Sequence, residues 1–72
     1  MCGENVKKYR REQKVSQVDL AARIQTHGVI LEQKSISRIE AGTRVVADYE
    51  LFTLSKALNV TIYDLLGLPN PK

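Results

Sequence analysis

Residues 33–42 read QKSISRIEAG and gather the groups in this chain best suited to polar recognition. At the helical period Ile36 and Ile39 share one stripe, while positions 34, 37, 38 and 41 lie on the opposite one. The outward face presents the Gln33 amide, the Lys34 ammonium, the Ser35 and Ser37 hydroxyls and the Arg38 guanidinium, with no acid among them. An ordinary solvated helix mixes Glu with Lys at such positions. A face of cations and small hydrogen-bonding groups matches phosphate oxygens and base edges instead.

Other chemistry finds little to build on. Catalysis needs a nucleophile or an acid–base pair held in a pocket, and the chain offers one His, one Cys and no glycine-rich phosphate loop. An enzyme is not expected, nor a metal or cofactor. Cys2 has no second thiolate to pair with and reads as a plain terminal residue. His27 reads as a solvated side chain at a helix end. Tyr9, Tyr49, Phe52 and Tyr63 fall on apolar stripes or helix starts, where packing or ordinary surface is expected rather than base stacking.

Five helices must position this face. Val6 and Tyr9 share a stripe in a first helix over about 4–13. Ser16 with Asp19 resembles a capping box and opens a second helix, with Leu20, Ala21 and Ile24 inward and Gly28 as its stop. The third helix spans 33–41 and closes at Gly42. Asp48 is placed as the cap of a fourth, whose Leu51, Leu54, Ser55 and Leu58 recur on one side, with Asn59 ending it. Thr61 and Asp64 repeat the capping pattern before Ile62, Leu65 and Leu66, and Gly67 and Pro69 stop this short fifth helix. No segment alternates as a strand does, so the fold is all-α, in one domain over 1–72 with its core at about 4–67 and a frayed tail at 68–72.

Seventy-two residues allow one small domain without a large cleft. No apolar run approaches membrane-span length, and MCGENVKKYR lacks a signal-peptide core, so a soluble, cytoplasmic protein with no membrane contact is expected. Eleven Lys and Arg against eight Asp and Glu give a net charge of +3, the sign that suits nucleic acid. Lys7, Lys8, Arg10, Arg11 and Lys14 concentrate that charge at one end.

Three phrases stand in a telling order: SQVDLAARI at 16–24, SISRIEAG at 35–42 and LSKALNVTIYDLL at 54–66. They resemble the phage-repressor and Cro-like (XRE-like) helix-turn-helix family, with its five-helix lambda-repressor-like bundle, from about Val6 to Leu66. The resemblance implies that Gln17 binds a phosphate and braces Gln33, which opens the recognition helix. It implies that Lys34, Ser35, Ser37 and Arg38 meet base edges and nearby backbone, and that Thr43 and Arg44 hold the next phosphates. Arg10 and Glu40 fall where many members carry an ion pair tying helix one to helix three.

The chain departs from the family pattern in two respects. Between Leu20 and Glu40 it is about five residues longer, which implies an extra turn on the second helix and a longer connection around 25–30, with Leu31 in the apolar turn position and Val29 and Ile30 partly exposed. Glu32 stands where Ser or Thr is common, and Ala41 where some members use Asn. The expected function is sequence-specific transcription regulation, as a repressor reading the major groove of double-stranded DNA. The alternative is an antitoxin-type or other protein-interaction module of the same fold. A homodimer and a protein partner both stay open, with Val29 and Ile30 as the apolar candidates for either contact.

Overall fold

The computed structural model describes residues 2–69. Five helices follow in chain order: α1 (Cys2–Glu12), α2 (Gln17–Gln25), α3 (Gln33–Ala41), α4 (Asp48–Leu58) and α5 (Ile62–Leu66), with no strand among the described residues. The expected tail begins within this range, but residues 70–72 lie outside it. α1 packs on α3, α4 and α5, α2 packs on α3 and α4, and α4 packs on α5.

The buried apolar set is Val6, Val15, Leu20, Ile24, Leu31, Ile36, Ile39, Leu54, Ala57, Leu58 and Leu65. Val15 and Leu31 come from connections, so the chain on either side of α2 is anchored by a core side chain. On α4, Thr53 and Ser55 are also buried, and their hydroxyls donate to Tyr49 O at 2.8 Å and Phe52 O at 2.6 Å. Those bonds remove the cost of burying a hydroxyl. Asn5 Nδ2 donates to Leu65 O at 2.9 Å, and Gln13 Nε2 donates to Leu58 O, so α1 and the residue that follows it satisfy carbonyls at the C-terminal ends of α5 and α4.

Local signals account for most helix ends. The Ser16 Oγ accepts from Asp19 N at 3.0 Å and caps α2. Thr61 and Asp64 form a reciprocal capping box on α5, with bonds of 3.0 and 3.1 Å. Gly42 takes φ +79° at the end of α3, a left-handed conformation that costs glycine nothing.

Four expectations need correction. α1 starts at Cys2 rather than position 4, because Gly3 is buried against the backbone of α3 and the contact carries the helix back two residues. Cys2 is therefore half-buried and packs on the core, and burial pushes its thiol pKa up. Asp48 does not cap α4. Ala47 occupies the cap position and Glu50, three residues on, accepts from Ala47 N at 3.0 Å.

The fourth correction concerns the long connection. The extra turn is not α-helix: α2 ends at Gln25, and residues 26–28 continue as tightening turns followed by an extended run into α3. Thr26 Oγ1 donates to Arg23 O at 2.6 Å, and Gly28 at φ +82° sends the chain outward. Leu31 is buried, Val29 is half-buried against the core, and Ile30 is 79% exposed.

Candidate nucleic-acid interface

α3 buries Ile36 and Ile39 and exposes Gln33, Lys34, Ser37, Arg38 and Ala41, while Ser35 lies half-buried on the flank. The donor-rich face read from the sequence is thus a solvent-facing surface. Beside it, Lys7, Arg10, Arg11, Gln17, Ser37, Glu40 and Ala41 line a shallow polar depression of about 230 Å³ between α1, the start of α2 and α3. Lys7, Arg11, Lys34 and Arg38 have no ion-pair partner among the described residues, so all four cations are free to meet an anion.

A hydrogen-bonded row runs under this surface. Arg10 Nε donates to Glu40 Oε2 at 2.7 Å and Arg10 Nη2 to Glu40 Oε1 at 3.1 Å. The two side chains are only 11% and 4% exposed. The bond to Glu40 holds the Arg10 guanidinium more firmly charged than usual, against the opposing effect of burial. Its Nη1 also donates to Val15 O at 2.8 Å, which fixes the α1–α2 connection. Gln17 Nε2 donates to Glu40 Oε1 at 3.1 Å, and Gln33 Nε2 donates to Gln17 Oε1 at 3.3 Å. Arg10, Glu40, Gln17 and Gln33 form one continuous chain from α1 to the first turn of α3.

A helix-turn-helix family profile matches residues 6–65, from the middle of α1 to the last turn of α5. This chain belongs to the lambda-repressor/Cro-like (XRE-like) helix-turn-helix family. Its class is that of DNA-binding transcription regulators, with α2 and α3 as the helix-turn-helix pair. No curated protein and no solved structure matches the chain. Among the described residues no helix is long and apolar enough to cross a membrane, and no group of His, Cys, Asp and Glu is placed to hold a metal ion.

Within this helix-turn-helix frame, two of the sequence-derived phosphate residues are already engaged. Both donors of Thr43 point back at α3: its N–H bonds to Arg38 O at 3.0 Å and its Oγ1 to the same oxygen at 3.2 Å. Thr43 therefore closes the helix with both of its donors. Arg44 forms a bidentate pair with Glu50, Nη1 to Oε1 at 2.9 Å and Nη2 to Oε2 at 2.8 Å. The same bond pulls the Glu50 carboxyl below its ordinary range, helped by Ala47 N–H and opposed by burial. Arg44 is thus not the free cation that the loop position suggested.

Lys7, Arg11 and Glu50 escaped the sequence reading as site residues. The first two were visible only as part of a charge run, because which faces of α1 border α3 is set by the tertiary packing. Glu50 carried a readable signal, an acid at the third position of a helix that follows a short basic loop.

Proposed function

We propose that this chain is a single-domain, cytoplasmic, sequence-specific regulator that acts as a repressor, laying α3 along the major groove of double-stranded DNA. The observation that carries the reading is the braced Gln33: a base-reading side chain held from behind by Gln17 before any ligand arrives. Pre-positioning of this kind reduces the ordering cost of binding. In this reading Gln33 pairs bidentately with adenine, and Lys34 or Arg38 reaches guanine O6 and N7. Ser35 and Ser37 contact bases or nearby backbone, and the remaining N–H of Gln17 meets a phosphate. Lys7 and Arg11, along the polar depression, neutralise the backbone beside α3. A module that occupies its site in this way blocks that stretch of DNA to other proteins, which is the basis of the repressor reading.

Two copies on half-sites about 34 Å apart would supply the specificity that one small interface lacks. The longest extent of the fold is 33 Å, so two copies fit side by side on such a site. An apolar hollow lined by Cys2, Ile39, Val46, Leu51 and Leu66, with Val45 90% exposed at its rim, offers a contact surface for pairing. Ile30 offers another from the α2–α3 connection. The same exposed apolar groups favour the second reading, a protein-interaction or antitoxin-type module.

Selection of bound duplexes from a random pool, with affinities followed from low to high salt, tests the assignment. The expected result is an enriched, two-fold symmetric site and a steep fall of affinity with salt. A protein that enriches no sequence and shows no salt-dependent binding is an adaptor rather than a DNA reader.

A further inference from the structure

We propose that Glu40 is a positioning residue for base readout: its buried carboxylate sets the amide orientation of Gln17 and, through it, which of its groups Gln33 turns toward the DNA. The proposal rests on reading α3 as the recognition helix and adds to it the device that decides the preferred base.

The orientation follows from donor and acceptor chemistry. A carboxylate only accepts, so Gln17 must turn its NH2 toward Glu40, where Nε2 lies 3.1 Å from Oε1. Its carbonyl oxygen then faces Gln33 and can only accept, which obliges Gln33 to spend one N–H inward, at 3.3 Å. What Gln33 has left is its Oε1 acceptor and its second N–H. That pair complements the N6–H2 donor and N7 acceptor of adenine. Arg10 keeps the row directional, since its two bonds to Glu40 hold the carboxylate in place.

Glu40→Gln reverses the row. Arg10 can only donate, so its Nε, the shorter of its two bonds, keeps the new amide oxygen in the place of Oε2, Nη2 gives up its bond at the place of Oε1, and the NH2 standing there faces Gln17. Gln17 must then turn its oxygen toward position 40 and its NH2 toward Gln33. Gln33 in turn spends its oxygen inward and presents two N–H groups outward. Two donors complement the O6 and N7 acceptors of guanine rather than adenine. A change buried beneath the surface thus alters base preference without removing any group that touches DNA.

The experiment selects sites from a random duplex pool with the wild type, Glu40→Gln, Gln17→Met and the double variant, alongside urea unfolding of each. Arg10→Met/Glu40→Leu is included because replacing a buried ion pair with apolar groups preserves folding better than stranding Arg10. The expected result is on the order of a tenfold loss of adenine preference at the Gln33 position in every variant, with guanine gained in Glu40→Gln; binding to non-cognate duplex persists in Glu40→Gln and Arg10→Met/Glu40→Leu and weakens only in the two Gln17→Met proteins, which lose that residue's phosphate bond. In the Gln17→Met background, Glu40→Gln should change the profile no further. The Gln33 side-chain amide signals in nitrogen-15 NMR should also move on Glu40→Gln without DNA. An unaltered profile in folded Glu40→Gln or Arg10→Met/Glu40→Leu protein, or a uniform loss across all sequences, overturns the positioning role alone. A wild type that enriches no site overturns the recognition-helix reading and the proposal with it.

Discussion

Gly3 sets how closely α1 approaches α3, and Gly3→Ala measures what that approach is worth. A Cβ at position 3 would lie 2.0 Å from Ile39 O, 3.1 Å from Ile39 C and 3.4 Å from Glu40 Cα. Ordinary contact begins near 3.4 Å, so the N-terminal turn of α1 must move about 1.4 Å away from α3. The obstacle is backbone and cannot swing aside, because Ile39 O is held by the N–H of Gly42 at 3.1 Å. Overpacking of this kind costs roughly 1–3 kcal/mol, whereas alanine's better helix propensity returns at most about 1 kcal/mol, and less in a first turn. The clash should win, with a net loss of about 2 kcal/mol and a fall in melting temperature of roughly 10 °C for a domain of this size. Gly28→Ala is the control: nothing lies within 4 Å of its added Cβ, so only the φ of +82° is strained. Urea unfolding of the three proteins gives the answer. A midpoint for Gly3→Ala equal to or above the wild type would show that α1 does not seat on α3 as described.

The remaining predictions concern ionisation, backbone strain and charge. The Arg44 bond holds the Glu50 carboxyl below its ordinary range, so its stabilisation is fully present above about pH 5 and is lost as pH falls through and below 4; stability measured from pH 7 to 3 should drop, and Glu50→Gln should flatten the drop. Lys14 sits at φ +56°, a conformation that costs a non-glycine residue roughly 1 kcal/mol, so Lys14→Gly should raise the urea midpoint slightly; a lowered midpoint would contradict the strain argument. Arg11→Ala, beside the polar depression, should lower the slope of log affinity against log salt by about one unit. Arg44→Ala should lower it less while reducing stability, because Glu50 already balances that charge; equal losses of slope would mean that Arg44 leaves Glu50 when DNA binds.

What could be read from the sequence divides along the range of the interactions involved. Helices capped by Ser16 and Thr61 were legible because their signals lie within three residues of each other. The inward faces of α3 and α4 were legible because apolar spacing records burial directly. Asp48 misled because two acids flank the start of α4, and the one whose side chain returns to Ala47 N, Glu50, is chosen by its pairing with Arg44. Gly3 gave no local sign at all, since a glycine near a terminus reads as a helix breaker until the helix it touches is known.

The longer α2–α3 connection shows why added residues need not disturb a recognition helix. α2 stops at Gln25, and the residues that follow are taken up by the turns at 26–28 while Leu31 enters the core. Once Leu31 is seated, the phase of α3 is set by Ile36 and Ile39 below it and by Glu40 at its far end, and none of these depends on the path of residues 26–30. The bond between Gln33 and Gln17 therefore forms across the connection rather than through it. Length is absorbed at Ile30, which takes the exposure, and the donor face keeps its direction.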